Sequence, residues 1–282
     1  MPGIVALRKD IQFHVRLAGL LEVLKAIAAQ RFQALERSLK LNDKFFAALG
    51  AMTSGFDLSA LKHPFVQGTG PVGVIAVTSD AGLLGGLNQQ VILAAVKEYR
   101  EEPGEIIVIG KRGVPYVRER RLPCREFPGV QDETRRALSE QVRDYAINQV
   151  LEGKLGRLTI VYPKALSFTV QRVEVIPALP CQAWLQTDEP GMRGHEGTLL
   201  ESSISRVLEY LVWAWLGEKL FEVFGHSRLA ELAARAVHLE GSLQELRRRK
   251  QKLQLRYFRE RREIIDRNIR ELSAARSLYG KA

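Results

Sequence analysis

Val77–Val91, VTSDAGLLGGLNQQV, follows the apolar run Val72-Gly73-Val74-Ile75-Ala76 and carries glycines at 82, 85 and 86 ahead of a helical pattern. A strand, a glycine-rich turn and a helix make one unit of an α/β sheet. Many proteins cradle phosphate with the same arrangement, so the stretch raises a functional question along with a fold class.

The phosphate reading fails on spacing and charge. A P-loop needs GxxxxGK followed by Ser or Thr, so that a lysine reaches the phosphates and a hydroxyl holds magnesium. Gly82-Leu83-Leu84-Gly85-Gly86-Leu87-Asn88 has neither lysine nor arginine. A dinucleotide fingerprint needs GxGxxG and an acidic residue at the end of the next strand. Here the spacing is GxxGG, and Gly110-Lys111-Arg112-Gly113 stands at that strand end. The glycines therefore read as a tight strand-to-helix turn, with Asn88 near the helix start.

Outward from this unit, further strand-like runs lie at 105–110, 157–162 and 168–177, alternating with helical patterns at 89–100 and 133–151. That order predicts an α/β domain with a largely parallel sheet. Before it, positions 7, 11, 14, 18, 21, 25, 28, 32, 35 and 39 step by three and four through Leu, Ile, His, Ala, Leu, Lys, Ala, Phe, Leu and Leu. This is a heptad seam, on a proline-free stretch from Leu7 to Leu49 that would make a helix of roughly 60 Å. A second stripe, Phe13, Leu17, Leu20, Leu24 and Ile27, widens the apolar face and predicts more than one neighbour. After Pro190 there is no proline, and Leu239, Leu243, Leu246, Lys250, Leu253, Tyr257, Glu260 and Ile264 form another seam.

The expected fold is α/β: a long antiparallel coiled coil of the N- and C-terminal helices with a central Rossmann-like α/β domain. The expected divisions are 1–60 for the N-terminal coiled-coil helix, 61–190 for the α/β domain, and 191–282 for the C-terminal helix that pairs with the first. The seam residues are Leu7, Ile11, Ala18, Leu21, Ala28, Leu239, Leu243, Leu246, Leu253, Tyr257 and Ile264.

The chain has 282 residues, with 42 basic against 32 acidic side chains and a formal charge of +10. That excess suits an acidic protein surface, nucleic acid or an anionic membrane face without choosing among them. The run Arg247-Arg248-Arg249-Lys250 makes a basic helix face, so a basic coiled-coil adaptor that binds nucleic acid is the alternative reading. Two scattered cysteines, Cys124 and Cys181, fit a reducing compartment. The N-terminus lacks the apolar core of a signal peptide, and the cluster at 208–224 is too interrupted to span a bilayer.

Chemistry is thin. The five histidines, at 14, 63, 195, 226 and 238, show no metal-ligand grouping, and His14 sits on the seam. Asp80 has no serine, histidine or second carboxylate paired with it. Trp213 and Trp215 read as anchors of a helix on the sheet. No catalytic residue, cofactor or metal is expected in this chain.

At this point the residues resemble a family. VTSDAGLLGGLN resembles the signature loop of the gamma subunit of F-type ATP synthases, usually near TSDRGLCGGLN. LLEVLKAIAAQRFQ (20–33) is similar to the family's ITKAMxMVAAxKM, Lys62-His63-Pro64 to the HP before its first strand, and REIIDRNIREL (262–272) to RQxxITxELxEI. The resemblance spans nearly the whole chain in order. It implies a coiled-coil shaft inside a ring of alpha and beta subunits, with the α/β domain as a foot on the c-ring beside the epsilon subunit. Such a rotor works on the cytoplasmic side of the bacterial inner membrane without entering it, and without binding nucleic acid. Nucleotide sites belong to the beta subunits. The resemblance makes Ser79, Asp80, Gly82, Gly85, Gly86 and Asn88 a subunit-interface loop. Ala81 stands where the family has arginine, Leu84 replaces a small or thiol residue, and Glu22 replaces a lysine. These departures point to a divergent branch such as the alternate (N-type) bacterial F-ATPase.

Overall fold

Val72–Val77 forms β1, the middle strand of a five-stranded sheet, and all six of its residues are buried. A strand covered on both faces needs an unbroken apolar run, and VGVIAV supplies one. The computed structural model describes residues 3–39, 43–53, 61–100, 102–181 and 203–279. Its helices are α1 (Ile4–Ser38), α2 (Asp43–Thr53), α3 (Pro64–Gln67), α4 (Leu87–Tyr99), α5 (Val114–Arg118), α6 (Arg135–Leu151) and α7 (Ile204–Tyr279). The other strands are β2 (Pro103–Ile109), β3 (Cys124–Phe127), β4 (Arg157–Ala165) and β5 (Gln171–Leu179). Across the sheet the order is β3-β2-β1-β4-β5, parallel except for the antiparallel β4–β5 hairpin. The fold class is the α/β arrangement with long terminal helices that the sequence predicts.

By contact the chain divides into two compact units, Met1–Ala28 with Ala236–Ala282, and Ala29–Arg235. In the second unit each sheet face has its own core, because alternate strand residues point to opposite sides. Ile75, Val77, Ile107, Ile109 and Ile160 pack with α6 (Val142, Ala146, Val150) and the first part of α7 (Leu216, Leu220, Phe224). Val74, Ala76, Ile106, Val108 and Val161 pack with α4 (Val91, Ile92, Ala95) and with Val114 and Val117 of α5. The result is a three-layer sandwich.

The predicted 168–177 strand starts later, at Gln171, because Ser167–Val170 is a turn: the Val170 N–H donates to the Ser167 Oγ at 3.2 Å, and the Leu166 N–H to the Val170 carbonyl. The expected single helix through Leu49 ends at Ser38, and a second helix begins at Asp43. Strand β3 has no counterpart among the predicted runs. Its sequence, CREF, is short and half exposed, so it carries no apolar signal. Of the expected tryptophan anchors, Trp215 is buried against this core, whereas Trp213 is 40% exposed under the Arg143 guanidinium, 3.7 Å from its ring.

In the first unit α1 and α7 run antiparallel. Lys25 Nζ meets Glu240 Oε2 at 2.7 Å and Arg247 meets Glu22 Oε1 at 2.9 Å, so one number falls as the other rises. Leu7, Ala28, Leu239 and Leu243 are buried, and Ile11, His14, Ala18, Leu21, Leu246, Leu253 and Tyr257 are half-buried. The register set by the two ion pairs puts Ile264 level with the very start of α1, where the partner helix gives out, and Ile264 is exposed. The stripe Phe13, Leu20, Leu24 and Ile27 is also exposed in the chain alone, so among the described residues it lacks the second neighbour that the sequence predicts.

Candidate functional site

The loop after β1 is held from three sides. The Thr78 Oγ1–H donates to the Ile109 carbonyl at 2.6 Å, and the Arg112 N–H donates to the Ser79 carbonyl at 3.0 Å. Asp80 accepts the Lys111 N–H at Oδ1 (2.8 Å) and the Gly129 N–H at Oδ2 (3.1 Å). Both carboxylate oxygens therefore tie main chain, one to the loop after β2 and one to the loop after β3. Within the loop, the Ser79 N–H donates to Asn88 Oδ1, Asn88 Nδ2 donates to Ser79 Oγ, and the Ser79 hydroxyl donates to the Ala81 carbonyl. Asn88 is thus a brace across the turn, while the residue at the cap of α4 is Gly86.

The three glycines of the turn serve different ends. Gly85 has φ +61°, a conformation that costs other residues a steric penalty. Gly82 has no such need. A side chain there would sit 3.3 Å from the Nη2 of Arg112, whose guanidinium lies across it. Leu83 adopts φ +66° in spite of its side chain and is exposed. A left-handed leucine costs about 1 kcal/mol, so the surrounding hydrogen bonds must hold it there.

In an open sheet of this order, ligands bind beyond the strand carboxyl ends at the point where the connections reverse, here between β1 and β4. That place is filled by the chain itself. Phe32 of α1 and Leu229, Leu232 and Ala233 of α7 form one buried cluster, joined by Leu35, Leu39 and Ala165 at the end of β4. Leu84 and Leu87, at the start of α4, are buried against Ala234. Phe168 meets Phe32 edge to face, with centroids 5.1 Å apart.

Beside the loop lies a cleft of about 630 Å³, lined by Arg31, Asp80, Ala81, Asp132, Glu133 and Arg228 among others. Its charges are largely spent internally. Buried Glu231 is gripped by Arg228 (2.8 Å) and Arg235, and the Arg228 Nε lies 3.8 Å from Asp132. This network was not foreseen, although the i−3 and i+4 spacing of two arginines around Glu231 is a readable helical signal. Farther along the unit, His63 accepts the Phe65 N–H at Nδ1, so Nε2 carries the proton facing Glu209 at 3.2 Å. Cys124 and Cys181 are free thiols, and burial pushes Cys181 up to about 12.

In the other unit, Arg247 is engaged with Glu22 and Arg249 with Glu245 one turn away, while Arg248 is exposed and Lys250 half-buried on the seam. No group of His, Cys, Asp and Glu suited to a metal occurs among the described residues.

A family model described as ATP synthase matches residues 6–278. The ATP synthase gamma chain of Symbiobacterium thermophilum is 29% identical over 224 residues, covering 78% of this chain and 77% of that protein. The ATP synthase gamma chain of Clostridium pasteurianum is 24% identical over 276 residues, covering 96% of each. Among solved structures, a chain of the Euglena gracilis mitochondrial ATP synthase OSCP/F1/c-ring in rotational state 3 matches with a TM-score of 0.70 at 16% identity. The match covers 98% of this chain and 94% of that one. A chain of the rotor of the same enzyme in rotational state 1 gives 0.67 at 18% identity, covering 93% and 98%. The structural likeness speaks for the fold, and the family model, which spans nearly the whole chain, for membership.

Proposed function

The chain belongs to the ATP synthase gamma-chain family, and on that premise we propose that it is the central-stalk rotor subunit of an F-type ATP synthase. It couples ion-driven rotation of a c-ring to conformational changes in catalytic beta subunits, and the chemistry takes place in those subunits. The observation that carries this reading is the filled crevice: Phe32, Leu229, Leu232 and Ala233 occupy the place where an open α/β sheet takes a ligand. With that crevice packed by apolar side chains, the contacts proposed for the chain are made through its surfaces. Those surfaces are apolar on the paired helices, with Phe13, Leu20 and Ile27 on α1 and Leu255, Phe258, Ile265, Ile269 and Leu272 on α7 all exposed. Apolar stripes of this size mark contact with other proteins.

The partners proposed are the alpha and beta subunits around the coil, and the epsilon subunit and c-ring against the α/β unit. Ser79, Asp80, Gly82, Gly85, Gly86 and Asn88 form the clamped loop that meets the ring. Rotation does work if each beta conformation is favoured by a different face of the coil. Basic side chains on that coil suit acidic surroundings and make the contacts salt-sensitive. The site of action is the cytoplasmic face of a bacterial inner membrane, reached through the c-ring; no described helix is long and apolar enough to cross a membrane. The nucleic-acid alternative is weakened by the engagement of Arg247 and Arg249 in ion pairs within the chain.

The test is reassembly. The isolated chain should not hydrolyse ATP, and adding it to alpha and beta subunits should yield a complex whose turnover depends on it. Failure to form that complex at any salt concentration would sink the proposal.

A further inference from the structure

Helix α7 meets α6 through a contact that repeats. The Arg143 side chain fills the space that a side chain at Gly217 would take: a Cβ there would lie 3.0 Å from the Nη1 and 3.3 Å from the Cδ of Arg143. Two turns further along α7, a Cβ at Gly225 would lie 2.7 Å from the Nη1 of Arg135, which stands two turns back along α6. Each guanidinium also covers the aromatic ring one turn before its glycine. Arg143 sits 3.7 Å from the ring centre of Trp213, and Arg135 sits 4.1 Å from that of Phe221. Arg136 covers Phe221 as well, at 4.0 Å, and pairs with Glu218. The two helices therefore run antiparallel, with arginine pegs in glycine sockets spaced roughly 12 Å apart along each.

Stability does not account for the pegs. The Nε and Nη1 of Arg135 are buried without a hydrogen-bond partner among the described residues, and burial pulls this guanidinium below the usual arginine pKa. A cation buried in this way costs stability that an apolar side chain of similar volume would restore, and fixing a register is the best-attested use of such a group. Elsewhere the two helices share an apolar core, Val142 and Ala146 of α6 with Leu216 and Leu220 of α7. Packed apolar helices slide past one another in small shear motions. A peg in a socket opposes that motion. Helix α7 continues unbroken to Tyr279, so a twist carried along it enters the α/β unit where α7 is gripped. We propose that Arg143 in the Gly217 socket and Arg135 in the Gly225 socket are the positioning residues that fix α7 against sliding and rolling on α6, and so stiffen the rotor where the shaft helix joins the α/β unit. The proposal rests on the rotor reading above and names the residues that make the join rigid.

The experiment measures the thermal angular fluctuation of a probe fixed to the α/β unit of the full chain, in a complex whose alpha and beta subunits are held on a surface and stalled. A softer join gives a larger variance. Arg135→Met with Arg143→Met keeps the bulk and removes the planar cations, and should raise the variance at least about twofold. The melting midpoint of the isolated double variant should stay level or rise, because the buried charge is gone. Leu138→Ala, in the same core and 3% exposed, should do the reverse, lowering the midpoint and leaving the variance at the wild-type value. Gly217→Ala should evict the Arg143 peg and raise the variance by itself, so the test survives a double variant that fails to fold. Adding Arg143→Met to Gly217→Ala should raise it no further, since the two residues act as one contact. The proposal is overturned if the double variant fluctuates like wild type or melts lower, if Leu138→Ala raises the variance as much, or if Gly217→Ala leaves it unchanged. A wild-type chain that never assembles sinks the rotor reading itself, a result distinct from all of these.

Discussion

Removing the Asp80 carboxylate tests whether the loop after β1 is held mainly by that one group. Asp80→Ala deletes two charge-assisted acceptors, for the Lys111 N–H at 2.8 Å and the Gly129 N–H at 3.1 Å. Hydrogen bonds to an ionised group contribute about 1.5–3 kcal/mol each when the donor is left buried and unpaired. The Lys111 N–H is exposed and regains water, so its share is small; the Gly129 N–H is partly buried and regains less. Together they amount to about 2 kcal/mol, which is roughly thirtyfold in a local opening equilibrium. Native-state hydrogen exchange reads this directly. The amides of Lys111, Arg112 and Gly129 should lose about thirtyfold protection while those of Val91–Val96 in α4 keep theirs. A second variant sharpens the test, since a side chain at Gly129 would lie 2.6 Å from the Asp80 Cγ. Gly129→Ala alone should be destabilising, and less so in the Asp80→Ala background, because contacting residues are not additive. Unchanged exchange at Lys111 and Gly129, or strict additivity of the two substitutions, would refute the clamp.

Leu232→Ala empties part of the crevice plug at a residue only 1% exposed and should cost about 3 kcal/mol, measurable as a lower denaturant midpoint at constant slope. Loss of less than about 1 kcal/mol would mean that the plug is loosely packed. Tyr145, half-buried and donating to Glu105, is pushed up from the usual phenol value of 10.0 to about 12 by its partial burial and by the Glu105 carboxylate. Its folded pKa is raised, so the stability it contributes is complete below pH 10.0 and drains away as pH rises toward about 12; Tyr145→Phe should flatten that part of an alkaline stability profile. Leu253→Pro removes a backbone donor in the interior of α7 and should cost about 3 kcal/mol or more, seen as a fall in helical circular dichroism, and should abolish coupled turnover in the reassembled complex.

Fold and site were legible to different depths for physical reasons. β1 was read to the residue because burial on both faces demands an uninterrupted apolar run, and few other segments look like that. The seam was legible because a period of three and four residues survives any choice of neighbour; Leu7, Ala28, Leu239 and Leu243 are indeed the positions most deeply covered. Edge elements such as β3 are defined by pairing, here Ile106–Ile109 beside Cys124–Phe127, and pairing leaves little trace in a four-residue polar strand. The register was hidden as well. Nothing in the heptads says that Lys25 meets Glu240, so nothing in them says where α1 ceases to cover α7, and Ile264 was assigned to a seam that does not reach it. The Asp80 clamp was out of reach for the same reason, since its partners at 111 and 129 are brought to it only by the sheet.

The glycine-rich turn draws the two levels together. Glycine-rich turns bind phosphate by leaving main-chain N–H groups free at a helix start, with a cation nearby. In this chain a cation is present, but it comes from the loop after β2, lies over Gly82, and points at the surface. The hydrogen-bonding groups around the turn are engaged within the chain: the Ser79 N–H goes to Asn88, the Lys111 and Gly129 N–H groups to Asp80, and the start of α4 is roofed by Leu84, Leu87 and Ala234. A carboxylate placed at the centre of the turn repels a phosphate and attracts the same N–H groups. The negative charge of Asp80 is spent instead on the Lys111 and Gly129 N–H groups, and so it ties the loops after β2 and β3 to the turn.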